Sequence, residues 1–369
     1  MKHRWEQFVL GVMDGKKQGF FSQITESGLR FLSLGYRTGV YCRNWAHDRG
    51  LVACYDPPVP VVISVGNIVA GGTGKTPVTL MLAEELSSEF RLAILSRGYR
   101  SPAEKRDVPL ILSQGKGPEY SAGYCGDEPY LLANRIPKAS VFVGKNRVKA
   151  SVMAAQSGAE VIVLDDGMQH RRLARDFEVV VVNAFDPFGK GHFLPRGLLR
   201  ESPKALAKAD IIVVNNALSK ERCDAIEREL KPYTKAPIVG TVPRISSIEN
   251  IQGEGVSSLS GTKVGLFCGI ANPKRFRNLV EEQGASVVAE LCSPDHMLPS
   301  AKALKAFATK CEKMGAEYLV CTEKDRVKLK DDIACSLPIV NVNIRLKIIS
   351  GPSEWESLIK NIKERVASK

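Results

Sequence analysis

The residues best placed to do chemistry follow the first β-branched run. Val65-Gly66-Asn67-Ile68-Val69-Ala70-Gly71-Gly72-Thr73-Gly74-Lys75-Thr76-Pro77 is a glycine-rich turn ending in Gly-Lys-Thr, with the apolar residues Leu80, Met81 and Leu82 behind it. In a strand, glycine turn and helix of this kind, successive backbone N–H groups curl around phosphate oxygens and the helix N-terminus adds partial positive charge. Gly71, Gly72, Thr73, Gly74, Lys75, Thr76 and Pro77 would form the cradle. Lys75 would reach the β/γ-phosphates, and the Thr76 hydroxyl would ligate Mg²⁺. Val69 stands where the strict pattern has glycine. The plainer alternative is a tight turn with no ligand.

A phosphate cradle needs a carboxylate at the end of a neighbouring strand to hold Mg²⁺ through its water shell. Val161-Ile162-Val163-Leu164 runs into Asp165-Asp166-Gly167 and supplies two. The C-terminal edge of such strands is where open α/β sheets bind ligands. Either acid alone could equally cap a helix or a turn. Together with the cradle they specify a nucleoside triphosphate with Mg²⁺, and leave the phosphoryl acceptor open.

The elements that must position these groups are short apolar runs: 61–65, 92–95, 140–143, 161–164, 179–182 and 211–214, separated by helical stretches. Continuous apolar strands alternating with helices imply a mostly parallel sheet covered on both faces, the α/β class. A second set runs from Lys263–Cys268 through Val287-Val288 and Tyr318–Cys321 to Ile339-Val340. Between the sets, Ala236–Pro243 reads as a linker strand that Asn341–Arg345 could pair with. The expected division is a helical segment 1–50, a first domain 51–235, hinge strands with a second α/β domain 236–349, and a last helix 350–369 returning to the first domain.

Residues 1–50 combine large apolar residues and arginines at helical spacings, including Phe20, Phe21, Leu29, Arg30, Phe31, Tyr36, Arg37, Tyr41, Arg43 and Trp45. A basic amphipathic helix suits an anionic membrane surface, and it equally suits packing on the adjacent domain. With 369 residues and 44% apolar content the chain can fill two ordinary cores, which excludes a disordered or collagen-like protein. No apolar run is long enough to span a bilayer, and no secretory signal opens the sequence. Nine cysteines without a CxxC pair fit reduced thiols in a cytosolic setting. The net charge of +12 points to an anionic partner. Zinc-finger spacing, RNP-like aromatics and a basic tail are absent, so nucleic acid is the weakest such partner.

Beyond the cradle and Asp165-Asp166-Gly167-Met168-Gln169-His170, the chain carries further segments in order. They are Leu95-Ser96-Arg97-Gly98-Tyr99, Gly126-Asp127-Glu128-Pro129, Asn146-Arg147, Leu194-Pro195-Arg196-Gly197-Leu198-Leu199-Arg200-Glu201, Gly269-Ile270-Ala271-Asn272-Pro273, Pro294-Asp295-His296 and Thr322-Glu323-Lys324-Asp325. This series resembles the tetraacyldisaccharide 4′-kinase family of lipid A biosynthesis, over roughly residues 60–330 and with a similar amphipathic start.

The resemblance implies two α/β/α sandwich domains, the first P-loop NTPase-like and the second smaller, joined by a two-stranded hinge. It implies transfer of the ATP γ-phosphoryl group to the 4′-hydroxyl of a tetraacyldisaccharide 1-phosphate. The setting would be the cytoplasmic face of the inner membrane of a Gram-negative bacterium, where the charge and the basic start meet an anionic glycolipid. No nucleic acid and no obligate protein partner are expected. The family pattern makes Asp127 the base, assisted by His296, which Asp295 would orient, with Lys75 on the transferring phosphate. Thr76, Asp165, Asp166, Gln169 and Glu201 would neighbour Mg²⁺ and phosphate, while Tyr99, Arg147, His170 and Arg200 would contact substrate. Met297 replaces the second histidine common after Asp-His, and Arg196 stands where a smaller residue is more usual. A deviant P-loop ATPase of the partitioning or maturation type is the competing reading, but Ala70 occupies the place of its characteristic lysine. A non-catalytic nucleotide-binding module is a second competitor, for which Lys75, Thr76, Asp165 and Asp166 would be superfluous.

Overall fold

The computed structural model describes residues 8, 9, 11–13, 19–295, 297–329, 333 and 335–369. A 29-residue helix, α1 (Phe20–Asp48), precedes β1 (Val61–Gly66), α2 (Lys75–Leu86), β2 (Leu92–Ser96), β3 (Leu110–Gln114) and α3 (Asp127–Arg135). The chain continues through β4 (Ser140–Val143), α4 (Arg147–Gln156), β5 (Val161–Asp165), β6 (Phe177–Asn183), β7 (Ile211–Asn215) and α5 (Lys220–Leu230). β8 (Ile238–Asn250) leads to β9 (Lys263–Cys268), α6 (Pro273–Glu281), β10 (Ser286–Cys292), α7 (Ala301–Lys313) and β11 (Tyr318–Thr322). β12 (Ile339–Ser350) then leads to α8 (Pro352–Ala367).

The strands form one twelve-stranded sheet in the order β10-β9-β11-β12-β8-β7-β6-β1-β5-β2-β4-β3. β3 runs antiparallel to β4 and β8 antiparallel to β12, and the other neighbours are parallel. The two strand sets read from the sequence are therefore joined in a single sheet. The reason is length: β8 has 13 residues and β12 has 12. The first residues of β8 pair with β7 (Ile212↔Ile238, Asn215↔Thr241), and the start of β12 pairs with β11 (Leu319↔Ile339). They also pair with each other from Val340↔Asn250 to Ser350↔Gly240, with Arg345 opposite Arg244 and Asn341 opposite Glu249.

Burial explains the continuous apolar runs. β1, β2, β5 and β7 are buried at every position, because helices cover both faces. Val61, Ile63 and Val65 pack with Leu82 of α2 and with Trp355, Leu358, Ile359 and Ile362 of α8. Ile162 and Leu164 face the other way, onto Ala150 and Ala154 of α4. Burying a side chain the size of those α8 residues contributes roughly 1.5–3 kcal/mol each, enough to hold the last helix on the first half of the sheet. In the second half, α6 supplies Phe276 and Val280 to one face, and α7 supplies Leu304 and Phe307 to the other.

α1 is built differently. Its C-terminal half is pinned by Arg171 and Lys208 to Asp48 (2.6 and 2.8 Å), and Ser33 Oγ donates to the Phe193 carbonyl at 2.8 Å. Its outer face leaves Phe20, Phe21 and Phe31 73–78% exposed.

Candidate active site

The site lies at the C-terminal ends of β1, β5, β6 and β7, where the parallel strands aim their last residues at the glycine turn. Gly74 is left-handed (φ 90°) at the N-terminus of α2, and a β-carbon there would lie 1.7 Å from the Asn215 amide nitrogen. Only glycine fits. Asn215 Nδ2 in turn donates to the Thr73 carbonyl at 3.2 Å, and Asn67 Nδ2 donates to the buried Thr73 hydroxyl at 2.8 Å. These two asparagines hold the cradle open from below. Val69 is tolerated because this part of the turn is not wrapped: Val69 bridges Leu199, and the Ala70 N–H donates to the Leu198 carbonyl at 2.7 Å.

Asp165 and Asp166 differ sharply despite being adjacent. Asp165 ends β5, 3% exposed, and accepts hydrogen bonds from Ser96 Oγ (3.0 Å) and Thr79 Oγ1 (3.4 Å). Burial, then the charges of Glu128 and Asp166, push its carboxyl up to about 6, against the pull of Lys75 and Arg147. Asp166 takes the left-handed conformation (φ 55°), which aspartate tolerates better than most residues and which recurs at functional sites. Its oxygens receive Arg200 at 2.9 and 3.1 Å, and Lys75 Nζ lies 3.5 Å away. Burial works against its ionisation, but Lys75 and Arg200 outweigh it and hold the carboxyl below its usual range. Asp166 is thus the standing anion of the pair.

Gln169 donates through Nε2 to the Asn67 carbonyl at 2.7 Å, and its buried Oε1 has no hydrogen-bond partner among the described residues. An orphaned buried acceptor at the end of the Asp165-Asp166 turn, with those carboxylates and the Thr76 hydroxyl, offers hard oxygen donors of the kind Mg²⁺ takes. His170 is driven down to about 4 by burial and by Arg147 and Arg175, so its imidazole is neutral at physiological pH. Tyr99 is exposed, with the Arg97 and Arg100 guanidinium carbons 5.8 and 5.1 Å from its ring centre.

Two residues expected at the ligand also have partners within the protein. Arg147 is 3% exposed and donates to the backbone carbonyls of Gly144 (2.6 Å) and Asp165 (3.2 Å), so it orients the end of β5 from beneath. Glu201, equally buried, bonds to Arg43 and, at 2.9 Å, to Asn44 of α1. Its carboxylate ties the long helix to the nucleotide corner. A sequence reveals that a charged residue is present, and not whether a ligand or a neighbouring element neutralises it.

The second half of the sheet closes the other side. A β-carbon on Gly72 would lie 3.1 Å from Ala271, so the turn after β9 sits against the glycine turn. Gly269, one residue after β9, lies against the Met297 backbone, where a side chain would collide with the carbonyl at 1.8 Å. His296 lies outside the described residues. Its neighbour Asp295 lies 4.0 Å from Lys324 Nζ, and Lys324 reaches Glu128 at 3.3 Å. Asp127 opens α3 with Oδ2 3.1 Å from Lys328 Nζ, and Arg135 of the same helix pairs with Glu323 at 2.9 Å. Asn67, Thr79, Ser96, Asn215 and Lys328 were not singled out from sequence. Asn67 and Ser96 do fall inside motifs quoted above, and Lys328 lies three residues after Asp325, one helical turn on.

Beside this corner, α1 and residues 188–203 enclose a groove of about 490 Å³ lined by Arg30, Arg37, Arg196, His192, Leu34 and Phe193 among others. Among the described residues no helix is long and apolar enough to cross a membrane.

Comparison with known proteins matches this arrangement. The family model described as tetraacyldisaccharide-1-P 4′-kinase matches residues 25–364. A tetraacyldisaccharide 4′-kinase of Chlamydia abortus is 41% identical over 73% of this chain and 72% of its own. One from Halothermothrix orenii is 31% identical over 95% and 94%. The crystal structure of LpxK from Aquifex aeolicus in complex with ATP superposes with a TM-score of 0.72 at 29% identity, covering 92% of this chain and 99% of that one.

Proposed function

This chain belongs to the tetraacyldisaccharide 4′-kinase family, and on that premise we propose how its own residues perform the reaction. It is an ATP-dependent kinase of lipid A biosynthesis, moving the γ-phosphoryl group to the 4′-hydroxyl of a tetraacyldisaccharide 1-phosphate. The observation that carries the mechanism is the Lys75–Asp166–Arg200 cluster beneath an open glycine turn.

The triphosphate lies in the cradle of residues 71–77, its oxygens meeting backbone N–H groups and the start of α2. Lys75 and Arg200 turn from Asp166 to phosphate oxygens as the nucleotide enters, which leaves the Asp166 carboxylate available as a ligand. Thr76, Asp165, Asp166 and Gln169 would hold Mg²⁺, and the ion when bound would supply neutralisation of phosphate charge. The acceptor 4′-oxygen forms its bond to the γ-phosphorus as the bond to the β–γ bridging oxygen breaks. Asp127 takes the hydroxyl proton, because a sugar alcohol is a poor nucleophile while protonated. Asp295 assists from the facing turn, and His296 next to it in sequence has the assisting role that the family resemblance implies. The β8/β12 pair serves as the hinge: both chain crossings between the halves run through it, so a small change of twist there opens or shuts the cleft and excludes water.

The lipid is presented by α1 at the cytoplasmic face of the inner membrane. Exposed Phe20, Phe21 and Phe31 enter the acyl boundary, and Arg30, Arg37 and Arg196 face anionic headgroups. The test is a mass measurement: with ATP, Mg²⁺ and detergent-dispersed disaccharide 1-phosphate, the lipid should gain one phosphate. Equal ATP consumption with and without lipid, and no bisphosphate, would overturn the assignment.

A further inference from the structure

Lys328 follows the one-turn helix Glu323–Arg326 on the second half of the sheet, yet its ammonium sits against the first. Nζ lies 3.1 Å from Asp127 Oδ2 and 3.5 Å from Asp325 Oδ1, and the side chain is 11% exposed. Asp325 is completely buried and itself fixed: its Oδ1 accepts the Gly269 N–H at 3.1 Å and its Oδ2 the Thr322 hydroxyl at 2.7 Å. Gly269 underlies the turn that carries Asp295. One buried cation therefore links the carboxylate at the start of α3 to the strand ends supporting the facing turn.

We propose that Lys328 is the positioning residue for Asp127, fixing the carboxylate across the cleft and keeping it ionised when the two halves are together. The proposal rests on the reading of Asp127 as the proton acceptor. A buried ammonium is costly unless carboxylates neutralise it, and here two do. An opposite charge at this distance favours the ionised acid, so a base held this way starts each turnover without its proton. Among the described residues, the charges around Asp127 include Lys328 and Asp325 from the second half, Glu128 beside it, and Lys324 with Asp295 opposite. Lys324–Glu128 and Arg135–Glu323 join the same elements, so removing Lys328 leaves the halves connected.

The experiment is a steady-state pH series on Lys328→Met, Lys328→Arg, Asp127→Asn and the double variant Lys328→Met/Asp127→Asn. Lys328→Met should lower kcat by up to about 10²-fold while KM for ATP changes less than about twofold. The acidic limb of its kcat profile should move to higher pH by about one unit or more, since a carboxylate that loses its cation binds protons more tightly. Lys328→Arg should restore most of kcat and the limb. The double variant should be no slower than Asp127→Asn alone. An unmoved limb in Lys328→Met, or losses that multiply in the double variant, would overturn the role of Lys328. Full turnover in Asp127→Asn would instead remove the base itself, a separate failure with its own signature.

Discussion

The nucleotide corner and α1 sit side by side, and they treat water in opposite ways. In the corner, Asn67, Asn215, Ser96 and Thr79 hold the glycine turn and Asp165 through hydrogen bonds inside the protein. On α1, phenylalanines stand in solvent. Exposed aromatic rings arranged along one helix are uncommon on a monomer without a surface to bind. One region is closed by its own hydrogen bonds, and the other leaves apolar surface that the proposed membrane contact would cover. On that proposal the fold positions the chemistry, and acceptor capture depends on the surface that α1 meets. The link between them is Glu201, whose carboxylate bonds to Arg43 and Asn44.

That contrast can be broken by perturbing each side in turn. The largest effect belongs to Lys75→Ala, expected to lower kcat/KM by about 10³-fold or more on any lipid presentation, since charge neutralisation dominates phosphoryl transfer. Steady-state assays in detergent and on vesicles should show the same loss. Next, replacing Phe20, Phe21 and Phe31 together with serine should weaken binding to anionic vesicles by about tenfold or more, each ring forfeiting part of its transfer free energy. Turnover on detergent-dispersed lipid should stay within about twofold. Equal losses in both assays would mean that α1 belongs to the catalytic corner and the contrast is wrong.

A smaller effect concerns stability. Asp165 has its folded pKa raised to about 6, above the value of an unfolded aspartate. Between those values the native state binds more protons than the unfolded state, so this group makes stability fall as pH rises. Asp165→Asn should therefore raise the melting temperature of the ligand-free protein at neutral pH by about a few degrees, and by less near pH 4. Calorimetry across that range checks it, and a uniform decrease would contradict it. The same substitution should impair turnover, the usual exchange between stability and an active-site charge.

The parallel strands were legible because burial on both faces leaves an unmistakable run of Val, Ile and Leu. β3 was not, because Leu110–Gln114 is a short antiparallel edge strand with one exposed and one half-buried position. The pairing of the two crossing strands was legible, but their further pairing with β7 and β11, which joins both sets in one sheet, was not, because register leaves no mark in composition. At the site, the glycine spacing and the double acid marked Lys75 and Asp166 directly, whereas Arg200 stood out only through the family resemblance. The protein partners of Arg147 and Glu201 were not legible, since burial and tertiary neighbours set them and spacing says nothing of either. Lys328 gave no signal, because its partner Asp127 lies on the opposite half of the sheet.

The most direct measurement is a phosphorus NMR spectrum of the lipid product. A second phosphomonoester coupled to the 4′ proton of the distal sugar, beside the original 1-phosphate, is the predicted result. A spectrum showing only the 1-phosphate, with inorganic phosphate accumulating from ATP, would contradict the account.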